Sequence, residues 1–489
     1  MHDLPLNPLL YQVNTRVLLW AMSAPLGRQA GFDDIPDAAL AVLRDLGVDW
    51  VWFLGVWQTG AAGRAISRSN PAWQDGYRKA LPDLEERDIC GSPFAIAGYQ
   101  AEDAFGGDAA LARLRDRANA AGLRVMLDFV PNHMAPDHPW VVERPGLFIR
   151  GSDTLLAAEP ENWIRLGSNI FAHGRDPYFP GWRDTVQLDY ANPDTQAAMA
   201  DTLLSVAARC DGVRCDMAML ALPDVFERTW SAELAGRMVP AFWPDAINRV
   251  HAAHPQFRFL AEVYWGLEQR LIDAGFDHAY DKALYDALRD GDAGRVRALL
   301  AADPATQAHL ARFLENHDGA RAAETFGWPR HRAAAVLAFA APGLRFLHMG
   351  QLEGLRVHIP IHLDRGPSEP VDETVLGFYR ALLAVLAEPA LRDGRYQAVA
   401  PVPAWDGNGS HHRFAAAIWH DAAGPRYLLA VNYGADRAQT RLHADLGPGL
   451  VRLTDRLGPE SYERDGQEIA RDGLYLDLPG WGLNLFALG

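Results

Sequence analysis

The fold this sequence predicts is α/β: a (β/α)8 TIM barrel with a short inserted domain after the third strand and a C-terminal antiparallel β-sandwich. Three observations predict it. Short β-rich runs alternate with longer helical patterns for most of the length. Eight strand-then-helix units can be counted. From about Leu391 the texture changes to short alternating runs separated by turn signals.

In chain order, the strands are expected over 11–18, 50–56, 124–130, 212–216, 258–263, 276–280, 312–316 and 344–349, each rich in Val, Ile, Phe, Trp or Leu. Helices are expected over 36–46, 108–121, 194–208, 224–254 (interrupted near Pro240 and Pro244), 267–274, 283–302, 320–340 and 373–387. Two connections are long and read as irregular: 58–98, rich in Gly, Pro and Arg, and 133–192, with Pro136, Pro139, Pro145, Pro160, Pro177 and Pro180. Both follow a strand, so both belong on the C-terminal face of the barrel. In the tail, 414–419 and 427–431 alternate, with turn signals at Asp406-Gly407-Asn408-Gly409 and Asp472-Gly473. The domains expected are therefore a barrel over 1–132 and 193–390, an insertion over 133–192 and a β domain over 391–489.

Composition narrows the function. Of 489 residues, 49% are hydrophobic and 22% charged, the balance of a soluble globular protein with a large core. The net charge of −16 argues against nucleic acid or an anionic membrane as partner, because both need basic surface. A neutral small molecule such as a sugar is compatible with it. Cys90, Cys210 and Cys215 are too few for a disulfide framework and lack zinc-site spacing. The first ten residues lack a signal-peptide pattern, and no run of 18 apolar residues occurs. A cytoplasmic enzyme is the expectation.

Polar residues cluster where strands meet loops. The third strand ends Asp128-Phe129-Val130-Pro131-Asn132-His133, and the fourth reads Gly212-Val213-Arg214-Cys215-Asp216. The fifth reads Leu260-Ala261-Glu262-Val263, and the seventh Leu314-Glu315-Asn316-His317-Asp318. In a barrel these ends converge, so Asp216, Glu262 and Asp318 become neighbours. A nucleophilic carboxylate, a protonated carboxyl and an arginine to orient them suit cleavage of a glycosidic bond, where positive charge builds on the anomeric carbon. Arg214 and Asp216 lie two apart on a strand and share a face. The apolar neighbours of Glu262 favour its protonated form.

These four segments, in this order, resemble the conserved regions of the α-amylase superfamily, glycoside hydrolase family 13. Residues 184–192 resemble the additional region near the end of that family's inserted domain B, and Met349-Gly350-Gln351 the end of the eighth strand. The resemblance covers roughly residues 8–390, and the tail is similar to domain C. It implies a retaining α-glycosidase acting on small oligosaccharides or glycosides by double displacement. Asp216 is then the nucleophile, Glu262 the acid/base and Asp318 the third carboxylate. Arg214, His133 and His317 contact the sugar, Phe94 is its aromatic platform where relatives carry Tyr, and Asp128 is a structural partner of Arg214.

Departures from the family pattern stand beside this. Met217 follows the nucleophile where Ala is usual, which leaves the acceptor open. Asn132 matches a calcium ligand of relatives, but no acidic loop completes a cage, so neither metal nor cofactor is expected. The stretches Asn14-Thr15-Arg16-Val17 and Trp57-Gln58-Thr59-Gly60 are similar to maltosyltransferase and trehalose-forming branches. Transfer or isomerisation with a sugar or phosphate acceptor is thus the alternative reaction, and a non-catalytic sugar-binding barrel the alternative class. His358 and His362 flank Pro360, which places them on a loop bordering the site rather than on one helix face.

Overall fold

Eight of the β-rich runs close into one parallel barrel in a computed structural model that describes residues 4–489. The staves are β1 (Leu9–Asn14), β2 (Trp50–Leu54), β3 (Arg124–Phe129), β4 (Gly212–Cys215), β5 (Arg258–Ala261), β6 (His278–Tyr280), β7 (Leu310–Arg312) and β8 (Leu344–His348). They pair in chain order, and β8 returns to β1. Every residue of β1 to β4 and of β8 is buried. One face meets the barrel interior and the other the surrounding helices, which is why these runs read as continuously apolar rather than alternating.

The differences from the sequence expectation have local causes. β1 stops at Asn14 instead of continuing to Leu18, because the Asn14 side chain accepts from the amide of Val17 at 3.3 Å and starts the helix Thr15–Leu26. β7 ends at Arg312, earlier than expected, and Asn316 then folds the chain into a turn on its own side chain. The connection 58–98 is not irregular. It holds the helices Ala61–Ser69 and Pro71–Ala80, the second capped by Asn70 with Pro at its first position, and its ends pair as Trp57–Thr59 with Ile96–Ala101. The helix expected over 283–302 is two, Lys282–Asp290 and Ala293–Leu300, parted by Gly291 in the left-handed region. The one expected over 320–340 is likewise broken, into Ala322–Phe326 and Arg330–Phe339, at Gly327-Trp328-Pro329.

After β3 the chain builds an insertion of short pieces: the hairpin Trp163–Leu166 with Asn169–Ala172, and the two-residue pairing of His133–Met134 with Val186–Gln187. That second pairing closes the insertion at its root and fixes His133 at the barrel rim.

The C-terminal strands form a six-stranded and a three-stranded antiparallel sheet. Period-2 alternation explains how they pack. In Phe414–Asp421 the odd residues Ala415, Ala417 and Trp419 join the barrel's hydrophobic core, while Phe414, Ala416 and Ile418 join a second core between the sheets. Two aromatic side chains fix the sandwich to the barrel helices: Trp419 Nε1 donates to Ala340 O at 2.8 Å and Tyr433 OH to Leu288 O at 2.7 Å. Among the described residues no helix is long and apolar enough to cross a membrane.

Candidate active site

Strand register decides what the barrel mouth presents. On β4, Val213 and Cys215 face outward into packing, and Arg214 points into the barrel axis, fully buried. Its guanidinium is flanked by Trp52, Phe94 and Tyr280, with ring centroids 5.3, 5.1 and 6.0 Å away. From there it forks. Nη1 donates to Asp216 Oδ1 at 2.6 Å, and Nη2 is 2.6 Å from Glu262 Oε2. The two carboxyls are thus held on adjacent nitrogens of one planar group.

The backbone carries the same arrangement. The ladder runs one residue past each stave, with Asp216 N donating to Phe129 O at 2.9 Å and Glu262 N to Cys215 O at 3.0 Å. Met217 then adopts φ 41, in the left-handed region, which is uncommon for a residue with a side chain. The turn aims the Met217 amide at Glu262 Oε2, 2.7 Å away, and Tyr264 OH donates to the other oxygen, Oε1, at 2.8 Å. Glu262 therefore accepts from an arginine, an amide and a phenol.

Despite these three donors, burial dominates. It pushes the Glu262 carboxyl up to about 8; the charges of Asp216 and Asp318 add to the rise, and Arg214 and the Met217 amide oppose it. Burial also draws His133 down to about 4 and His317 well below the ordinary imidazole range, so both rings are neutral near pH 7. Burial raises Asp318 too, against the opposing charges of Arg214 and His358.

Asp318 is placed by a turn. Asn316 Oδ1 accepts from the amides of Asp318 and Gly319, at 3.0 and 3.2 Å. His317 Nδ1 lies 2.8 Å from Gln12 Nε2, and its Nε2 lies 3.2 Å from Asp318 Oδ1. Phe94 packs on the His317 ring at 5.3 Å.

Asp216, Glu262, Asp318, His133 and Phe94 line one cavity of about 390 Å³, at the small end for ligand sites. Arg214 lies beneath it and reaches it through the two carboxyls it holds, and His317 lies behind Asp318. Asp128 differs from expectation. It stands opposite Arg214 in the β3–β4 register, but its oxygens accept from Trp52 Nε1 at 3.1 Å and Gly55 N at 2.9 Å. It meets Arg214 only through the electrostatic field, which opposes the burial that pushes its carboxyl to about 7. Asn132 is occupied as well, since Gln187 Nε2 donates to its carbonyl at 2.9 Å and to Oδ1 at 3.1 Å. An amide donor in that position does not fit a calcium cage.

Trp73, Trp182, Asp184, Tyr264 and His362 also line the cavity, and the sequence reading gave none of them a substrate contact. A signal existed for two of them: Asp184 opens the region 184–192, and His362 sits on the loop expected to border the site. The same loop brings His358 Nε2 to 2.9 Å from His317 O.

Arg214→Met is expected to lower unfolding stability by about 3–5 kcal/mol, because it leaves the Asp216 charge buried without its cation and the Glu262 oxygen beside it without a donor. Urea midpoints check this, and a loss below about 1 kcal/mol contradicts the bridging role.

Known proteins resemble this chain in sequence over part of its length and in fold over nearly all of it. The profile of the α-amylase catalytic domain matches residues 39–269. The chain is 25% identical over 427 residues to the α-amylase MalA of Haloarcula japonica, covering 85% of this chain and 54% of that protein. It is 30% identical over 260 residues to an α-1,4-glucan:maltose-1-phosphate maltosyltransferase of Burkholderia pseudomallei, covering 52% of this chain and 19% of that one. The chain thus spans about half or less of the length of these relatives. An α-amylase structure from Lactobacillus plantarum shares the fold over 99% of both chains, with a TM-score of 0.68 and 23% identity. Residues 39–269, just under half of the chain, thus match the α-amylase catalytic domain, and the whole chain shares the fold of a solved α-amylase.

Proposed function

We propose that the protein is a retaining α-glycosidase of small α-glucosides, with Asp216 as nucleophile and Glu262 as general acid and base. The observation that carries this reading is the single buried guanidinium that holds both carboxyls at the base of a sugar-sized cavity. Double displacement needs the two carboxyls close, about 5–5.5 Å apart, and one of them protonated at rest. Arg214 supplies the proximity, and burial supplies the proton on Glu262.

The steps follow from positions. Asp216 attacks the anomeric carbon while Glu262 protonates the leaving oxygen, giving a covalent glycosyl-enzyme. Glu262, now a carboxylate, takes a proton from the incoming water, which releases the sugar with its original configuration. Asp318, with His317 behind it, grips ring hydroxyls and strains the sugar toward the transition state. His133 and Phe94 complete the wall. Neutral rings at 133 and 317 suit a neutral substrate. The three free thiols, Cys90, Cys210 and Cys215, suit a reducing, cytoplasmic setting.

The test is the anomeric outcome. An aryl α-glucoside followed by proton NMR is expected to release α-glucose first. A β-anomer as first product, or no turnover across a panel of α-glycosides, contradicts the proposal. Transfer remains a second reading on one observation: Met217, Trp182 and Tyr264 give the cavity an apolar rim, which favours an organic acceptor over water. Added glucose or maltose then diverts product from hydrolysis to a new glycoside.

A further inference from the structure

The cavity wall also holds a carboxylate that the proposed chemistry does not use. Asp184 is 4% exposed, and its Oδ2 has no hydrogen-bond partner. A buried oxygen without a partner that lines a ligand cavity is a candidate ligand contact. The nearby group is His362, whose Nε2 is 3.9 Å away, too far for a direct hydrogen bond. Burial keeps that imidazole neutral, with its pKa near 4. Trp73 stacks on the same ring, centroids 4.4 Å apart and planes within 22°.

Three separate connections build this wall. Trp73 comes from the helix Pro71–Ala80, Asp184 from the insertion after β3, and His362 from the loop after β8. The last is fixed in place: Cys90 N donates to His362 O at 2.8 Å, and Ile89 bridges to Leu363. A hydroxyl oxygen about 2.8 Å from each atom fits the gap between Asp184 Oδ2 and His362 Nε2. A hydroxyl both donates and accepts, so it satisfies a carboxylate and an imidazole N–H together. Neither a hydrogen nor a methyl group does so.

The orientation follows from Glu262. Its proton goes to the leaving oxygen, so the leaving group lies toward β4 and β5, where Met217 and Tyr264 stand. Trp73 and His362 follow β2 and β8, the staves that flank β1, and β1 stands across the closed barrel from β5, so their wall faces the other end of the bound sugar. We propose that Asp184 and His362 grip one hydroxyl of the glycone at its edge remote from the scissile bond, with Trp73 closing the cavity behind, so that the enzyme accepts one sugar residue there and transfers single glycosyl units. This rests on the retaining reading above. It separates the chain from maltosyl transfer, which needs room for two residues on that side.

The test uses the full-length Glu262→Gln variant with α-glucosyl fluoride or α-maltosyl fluoride, whose leaving group needs no acid. Intact mass reads the covalent adduct. The expected result is a one-hexose adduct from the first and none from the second at matched concentration. A two-hexose adduct formed at an equal or higher rate overturns the inference while leaving the retaining chemistry standing. No adduct from either, with no turnover by the wild type, overturns both. In the wild-type background, Asp184→Asn is expected to lower kcat/KM for an aryl α-glucoside about 10- to 100-fold, mainly through KM. An unchanged kcat/KM overturns the grip. Should that variant fold poorly, Trp73→Ala decides: it is expected to raise the ratio of maltosyl to glucosyl turnover at least tenfold, and an unchanged ratio removes the wall from the account.

Discussion

Asp216→Ala is expected to lower kcat on an aryl α-glucoside by about 10⁴-fold or more, roughly 5.5 kcal/mol of barrier, while the barrel stays folded. The size follows from what is lost. No covalent intermediate can form, and water must attack across the space the carboxylate filled. The fold survives because Arg214 keeps Glu262 as a partner at 2.6 Å and stays enclosed by Trp52, Phe94 and Tyr280. Two readouts separate a missing nucleophile from a damaged site. Azide, small enough to occupy the vacated space, is expected to restore turnover and give the β-glycosyl azide, the inverted product of a single displacement. Glu262 should also titrate lower in the variant, since the charge of Asp216 helps raise it. A variant within tenfold of wild type, or an α-azide product, removes Asp216 from the nucleophile's role.

The strands were readable in the sequence because burial on both faces turns each stave into a continuous apolar run. Strand ends were readable because barrel topology leaves them no choice but to converge, so polar residues at 216, 262 and 318 had to meet. What stayed hidden depends on side chains competing for partners. Asp128 and Arg214 are paired in register, yet the Trp52 indole and the Gly55 amide take the carboxylate. Asn14 ends a strand that the apolar pattern would have continued, because one side-chain oxygen caps the next helix. The helices after Gly60 were masked by Gly63, Gly76 and Pro71, which read as loop residues although Pro71 opens a helix. Trp73, Asp184 and His362 could not be joined beforehand, since their meeting depends on how three long connections fold over one rim.

Glu262→Gln is the second large effect, and its size depends on the leaving group. With a disaccharide, whose leaving alkoxide must be protonated, a loss of about 10²- to 10⁴-fold is expected, the usual contribution of a positioned acid. With a glycosyl fluoride, glycosylation proceeds without the acid and the covalent intermediate accumulates, because water then lacks its base. The pH profile supplies the sign. Burial pushes the Glu262 proton up to about 8, so the acid is in place below that value and is lost as pH rises through it. Wild-type kcat/KM on a disaccharide should therefore fall on the alkaline side near pH 8, and that limb should vanish in the glutamine variant. Asp318 belongs to the same electrostatic unit, since its charge helps hold the Glu262 proton. The alkaline limb consequently reports the trio rather than one residue. An alkaline limb that persists in Glu262→Gln assigns the proton to another group, and a disaccharide rate equal to wild type removes Glu262 from the chemistry altogether.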